Sequence, residues 1–417
     1  MRSPFRGRLW RHADFQKLWW GESISEFGSQ VTFLALPSVA ILQLRATPFQ
    51  VGLIEALNFL AFPTLGLVAG VYADRLRRRP IMIACDLGRM LALGSIPVSF
   101  LLGSLNMPQL YAVATITGIF TVFFDVAYQS YLPSLIDRGD LIEGNSKLEV
   151  TRSAAQLLGP AAAGFLIQAF QAARAIAVDA VSFLVSAIAV WLIRKPEPEP
   201  RPTVEGAATG FFAEMKEGIA VVFRNRYLWR IAGCTATSNL GSNIVMAVFL
   251  IFAYRMLHLT AGTVGLIFGI GSVGYLFGAL SAQRSARLLG LGPVLAVSIL
   301  IGGLSWLLVP LALYLTPFVL LTLAIVIGLS TGPIYNINQV SLRQAITPDR
   351  VQGRMNATMR TIVWGTIPVG AFLGGVLGTA VGIVETIVIG AVVSTLAVVW
   401  VGVGPVRRLR EQPAPVA

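Results

Sequence analysis

Apolar runs of about twenty residues follow one another along nearly the whole of this chain, and no other feature restricts its fold as much. A helix rises about 1.5 Å per residue, so each run covers the roughly 30 Å of a bilayer's hydrocarbon core. Period-two alternation is absent and several runs are longer than a membrane strand, which leaves helices as the spanning solution. Twelve runs are read, at 18 to 44, 50 to 72, 81 to 104, 109 to 132, 148 to 170, 175 to 193, 230 to 254, 262 to 282, 293 to 314, 317 to 343, 356 to 380 and 383 to 403. Charged residues make up 12% of the chain, about half of what a soluble domain carries, and mean hydropathy is +0.73. The expectation is an all-α integral membrane protein with twelve transmembrane helices.

The stretch Gly70 to Pro80, GVYADRLRRRP, orients those helices. An acid and four arginines stand between two apolar runs with almost no spacer, so this is a tight turn that marks the cytoplasmic face. With the N-terminus inside, all but four of the 32 Lys and Arg fall on the cytoplasmic side, the exceptions being Arg45, Arg174, Arg255 and Arg89. The net charge of +12 is thus spent on topology and contact with anionic lipid, and nucleic acid is not expected as a partner. A multi-pass protein of the cell membrane with both termini cytoplasmic follows. The first apolar run is too long for a cleaved leader and lacks a small-residue cleavage site. Cys85 and Cys234 lie far apart within predicted spans and read as small core residues.

Landmarks recur at a nearly constant offset of 208 to 213 residues. Ser238-Asn239-Leu240-Gly241-Ser242 echoes Ser25-Glu26-Phe27-Gly28-Ser29; Val264-Gly265-Leu266 echoes Val51-Gly52-Leu53; Arg284 and Arg287 echo Arg75 and Arg78; Asn356, Pro368 and Gly370 echo Asn145, Pro160 and Gly164. This implies two six-helix halves with pseudo-two-fold symmetry about the membrane normal. The expected organisation is an N-terminal bundle over 1–193, a cytoplasmic linker over 194–229 that opens with the proline-stiffened PEPEPRP, a C-terminal bundle over 230–403 and a cytoplasmic tail over 404–417. The polar stretch from Pro133 to Arg152 reads as a connection with a short surface helix. Spans two, five, eight and eleven carry glycine lines that permit close approach, and are expected to form the seam between halves.

The acids do not repeat: Glu26 becomes Asn239 and Asp74 becomes Gln283. Glu22 and Glu26, four apart in the first span, share one helix face and are candidates for reversible protonation, although Glu22 could instead be solvated near the membrane surface. Asp86 and Arg89, three apart, can neutralise each other and read as structural. Asp125 in the fourth span reads as a latch, a proton site or a packed residue, and Asp179 lies near the outer end of the sixth.

Other chemistry is missing. No Gly-Lys dipeptide exists, so no phosphate-binding loop is present. Gly328-Leu-Ser330-Thr-Gly332 matches the hydrolase elbow pattern but sits inside an apolar span, with only His12 and His258 as distant partners. Two histidines and two cysteines suggest no metal centre, and no cofactor is expected. Transport driven by an ion gradient remains, rather than enzymatic activity.

Gly70, Asp74, Arg75, Arg78 and Arg79 resemble the loop 2–3 signature of the major facilitator superfamily, with Arg77 where that motif has a glycine. Gly159, Pro160 and Gly164 are similar to the fifth-helix motif of its drug and proton antiporters. FFDVAYQSYLPSLI and GNSKLEVTRS look like the branch that holds enterobactin exporters, macrolide efflux proteins and their actinobacterial relatives. The resemblance implies that Asp74 contacts the start of span eleven and that Arg78 pairs with Asp125, making a cytoplasmic gate. It implies a monomeric secondary transporter that exports hydrophobic small molecules such as drugs, macrolides or siderophore-like natural products against proton entry. The proton-coupling candidates are Glu26, Glu22 and Asp125, and the expected substrate cavity among spans 1, 4, 7 and 10 offers Gln30, Phe124, Tyr128, Asn239, Asn243, Tyr335 and Asn338. Proton-coupled uptake on the same fold is the alternative; a membrane-embedded enzyme or a receptor is the third reading.

Overall fold

In the computed structural model, which describes residues 8–197 and 207–410, twelve helices are long and apolar enough to cross a membrane. The α-helical segments are α1 (Ala13–Ser38), α2 (Pro48–Arg75), α3 (Arg78–Leu101), α4 (Met107–Leu135), α5 (Leu141–Phe170), α6 (Ala172–Trp191), α7 (Ala207–Arg224), α8 (Leu228–Ile251), α9 (Ala261–Leu289), α10 (Leu291–Ser305), α11 (Leu308–Leu311), α12 (Pro317–Ile346), α13 (Asp349–Ala380), α14 (Ile383–Leu396) and α15 (Val398–Gly402). The twelve spans take α10 with α11 and α14 with α15 as one each, and leave out α7. Local chemistry sets several ends. Asn106 caps α4 by accepting from the Gln109 N–H at 3.0 Å, with Pro108 in the first turn, where a missing donor costs nothing. His12 caps α1 through its ring, accepting from the Phe15 N–H at 3.1 Å.

The chain forms two compact units. The first comprises Met1–Ala46, Leu57–Thr203 and Thr260–Gly269; the second comprises Thr47–Ala56, Val204–Leu259 and Ile270–Ala417. The start of α2 thus clusters with the later helices, and the start of α9 with the earlier ones. In the first unit α1 packs on α5 and α6, and α3 packs on α4 and α6, over a core that includes Phe15, Leu18, Met82 and Tyr131. In the second, α8 packs on α13 and α14, and α10 on α12 and α14, over Leu228, Ile231, Leu295 and Leu342. Helix for helix, the internal packing of one unit repeats that of the other.

The repeat reaches the backbone. Val39–Gln43 winds as a π-helical turn after α1, and Phe252–Met256 does so after α8. Each is followed by a non-glycine residue in the left-handed region, Arg45 at φ 52° and His258 at φ 53°. Glycine crossings repeat as well. Within the first unit a Cβ on Gly164 would lie 2.7 Å from the Gly265 Cα, and within the second a Cβ on Gly52 would lie 2.8 Å from the Gly375 Cα. No larger side chain fits where these backbones meet.

Two connections are more helical than expected. Between Pro133 and Arg152 the connection is confined to a few residues around a 3-10 turn at Arg138–Asp140, because α4 continues to Leu135 and α5 begins at Leu141. Part of the polar content of α5 is held by contacts: Lys147 lies buried with its ammonium 3.9 Å from the centre of the Trp10 ring, and the Trp19 indole donates to Thr151 Oγ1 at 3.0 Å. The segment between the halves holds α7, which packs on α13; Glu217 pairs with Arg350 at 3.5 Å and with Arg354. Pro198 to Pro202 lie outside the described residues.

Candidate functional site

Membrane helices bury charge only where partners exist, and the first unit buries a group of it. Glu22 and Glu26 project from α1. Glu26 is partly exposed and pairs with Arg152 of α5 at 3.5 Å. Glu22 is 8% exposed, and its Oε1 has no hydrogen-bond partner. The first helix begins at Ala13, so Glu22 stands nine residues from its start rather than one turn from water. On α3, Asp86 accepts a hydrogen bond from Arg89, and both are buried. The Arg89 guanidinium lies between two aromatic rings, 4.3 Å from the centre of Phe124 and 4.0 Å from that of Phe183. This pair of cation–π contacts desolvates the cation without leaving it bare. Phe124 in turn stacks on Tyr128, with ring centres 6.0 Å apart and planes within 12°.

Asp125 joins this group. It acts electrostatically on both Glu22 and Glu26, as well as on Tyr128. Since α4 runs to Leu135, Asp125 is ten residues from that end, about 15 Å along the axis. Asp179 of α6 accepts from the hydroxyls of Thr32 and of Ser182, the latter at 2.9 Å. Gly28 makes room for that acid: a Cβ there would lie 2.6 Å from Asp179 Oδ1. Gln30 covers Gly159, where a Cβ would come within 2.4 Å of the Gln30 Cγ. Pro160 and Gly164 follow on the same helix, with the Pro160 carbonyl directed at Gly265.

The arginine turn is fastened by a residue the sequence reading did not single out. For Arg78, expected beside Asp125, the structure shows Glu197: Oε1 accepts the Arg78 N–H at 2.7 Å and Oε2 the Arg79 N–H at 3.1 Å. Glu197 is therefore the carboxylate that caps the positive end of α3. Arg79 donates to the last carbonyls of α6, those of Val190 and Trp191. An acid placed just after a span and a few residues beyond its last apolar side chain was the available signal. Arg75 ends α2 exposed, Gly70 has open space around it, and the side chain of Asp74 lies outside the described residues.

The second unit answers with amides and hydroxyls. The Asn243 amide donates to the Asn239 carbonyl at 2.8 Å and lies beside Gly370. Tyr335 and Asn338, expected on a cavity, are tied into helix packing instead: the Tyr335 hydroxyl pairs with Thr235 at 2.9 Å, and the Asn338 amide donates to the Ile334 carbonyl at 2.8 Å and to that of Ala282 at 3.3 Å. Both side chains are buried. Their polar atoms find partners on α8, on α9 and on the preceding turn of α12 itself.

Twelve apolar helices and two internally repeated packing units describe a polytopic transporter of the major facilitator type. The fold is similar to that of a bacterial homologue of the iron transporter ferroportin, with a TM-score of 0.74 and 17% identity over 93% of this chain and 97% of that one. It is also similar to a bacterial homologue of the human lysosomal transporter Spinster, with a TM-score of 0.74 and 13% identity over 98% and 100% of the two chains. The chain belongs to the transmembrane secretion effector family, whose model matches residues 3–414. It is 23% identical over 406 residues to macrolide efflux protein A of Streptococcus pyogenes, covering 95% of this chain and 97% of that protein. It is 24% identical over 366 residues to the multidrug efflux pump Tap of Mycolicibacterium fortuitum, covering 86% and 88%. This is a membrane transporter with efflux-pump homologues, and not an enzyme.

Proposed function

We propose that this protein is a proton-coupled exporter of hydrophobic small molecules, acting as a monomer in the cell membrane with both termini cytoplasmic. The carrying observation is Glu26, a partly exposed acid on α1 whose counter-ion, Arg152, is itself more than half exposed. A proton taken up by Glu26 cancels the charge that holds Arg152, and an incoming substrate meets the acid with Gln30 one turn along the same helix and Tyr128 on α4. Proton and substrate then compete for one set of states, which is what antiport requires. Asp125, electrostatically linked to Glu26, is a second proton candidate within reach of the same exchange. The efflux names of the relatives support the outward direction and the drug-like substrate class.

Inverted membrane vesicles, with a panel of macrolides and fluorescent lipophilic drugs added to the outside, test this. Accumulation that collapses on adding an uncoupler, and that Glu26→Gln abolishes, is the expected result. Accumulation in energised whole cells instead would establish uptake and overturn export.

A further inference from the structure

We infer that Glu22, Asp86 and Arg89 form an inner proton station, in which Glu22 carries the exchangeable proton and Arg89 passes its loss to Tyr128 through Phe124. The inference deepens the proton-coupled reading above and rests on it. Three observations carry it. Glu22 Oε1 and Arg89 Nε are both buried without a hydrogen-bond partner, unmet polar atoms that a bound proton and ordered water would relieve. Two carboxyls stand against one guanidinium, and a net charge in a low-dielectric interior is costly, so the trio is neutral with one proton aboard. Asp86 is already committed to Arg89 and faced by Ser186, so the proton belongs to Glu22.

The third observation is the clamp. Arg89 lies between Phe124 and Phe183, and Phe124 stacks on Tyr128, so the guanidinium cannot shift without moving an aromatic pair on α4. When the Glu22 O–H bond breaks and the proton passes to water, the new carboxylate draws Arg89 away from Asp86. The charged groups around Glu22 are Glu26 on its own helix, Asp86 and Arg89 from α3, and Asp125 from α4. From α6, Asp179 faces Asp86 and Arg89 but is occupied by its two hydroxyl donors, and from α5, Arg152 and Glu149 face Glu26. Arg89 is thus the one cation within the trio, with Arg152 engaged one turn further along α1.

Infrared pH-difference spectra of the purified full-length protein in lipid vesicles test the station without a drug. The expected result is a protonated-carboxyl band that vanishes in Glu22→Gln, shifts in Glu22→Asp and persists in Glu26→Gln. A tyrosine band, assigned by its absence in Tyr128→Phe, is expected to accompany it and to be lost in Arg89→Lys, which keeps the charge but not the planar stack. Gln reproduces the shape and charge of the protonated acid, so the variant folds. A carboxyl difference spectrum that Glu22→Gln leaves unchanged, the absence of any titrating carboxyl band, or a tyrosine band indifferent to Arg89→Lys overturns the inference. Uncoupler-sensitive accumulation in wild-type vesicles reports separately on the exporter reading, so the two can fail independently.

Discussion

The two units share a frame and differ in what they put inside it. Gly28 and Gly241 stand at equivalent places of the repeat, each packed on the sixth helix of its own unit. Against Gly28 lie side chains, Ser182 Oγ and Asp179 Oδ1, whereas against Gly241 lies backbone, the Ser394 nitrogen 2.3 Å and the Gly390 oxygen 2.5 Å from where a Cβ would be. Where the first unit keeps an acid with two hydroxyl donors, the second has closed the space and brought the helices into direct contact. The same contrast holds one helix over: Asp86 of α3 is matched at the repeat offset by Ser298 of α10, whose hydroxyl simply donates to the Val294 carbonyl at 2.7 Å. Packing needs only that the glycine persist. Polar content can then diverge, and in this chain the acids collected on one side.

The contrast can be broken most forcefully at Arg89. Arg89→Ala leaves the Asp86 carboxylate buried without its partner and should destabilise the protein by about 3–5 kcal/mol, whereas Ser298→Ala should cost about 1 kcal/mol. Thermal unfolding in detergent would show this, and equal shifts would mean that the Asp86–Arg89 pair is not what holds the first unit's interior. Next come the glycines. A methyl group at Gly241 strikes backbone that cannot yield, so Gly241→Ala should cost about 1–3 kcal/mol, and Gly28→Ala less, because side chains can turn aside. If Gly28→Ala proves the more damaging in the same assay, the first unit's interior is the tighter of the two. The smallest effects concern the segment that follows α6. Glu197→Gln weakens the cap on α3 and should lower stability by about 1 kcal/mol; Glu217→Gln acts on partly exposed ion pairs and should cost less than about 1 kcal/mol. Thermal shifts of the two variants side by side would rank the attachments.

Much of this frame is written in the apolar periodicity. The twelve spans, the Gly52 and Gly164 lines, the arginine turn and the repeat offset are local or strictly periodic signals, and a single chain displays them. What the pattern conceals is which polar groups meet. Tyr335 and Asn338 read as cavity residues because amides and hydroxyls in a span call for an explanation; the explanation turned out to be carbonyls and a hydroxyl one helix away. Glu197 lay in a proline-rich run that suggests a spacer, yet it reaches back more than a hundred residues to α3. Arg152 looked like the end of a polar connection, yet it stands on α5 as the partner of Glu26. Pairing of this kind depends on helix length and rotation, which composition along one helix does not determine.

The π-helical turns at Val39–Gln43 and Phe252–Met256 also mark what the repeat conserves in its backbone. A π turn closes its hydrogen bonds one residue further along than the regular helix around it. Because both units end their first helix with the same turn, and both follow it with a residue at positive φ, the irregularity belongs to the frame the two units share. The even distribution of backbone irregularities and the uneven distribution of charge thus separate what the repeat holds in common from what each unit carries alone.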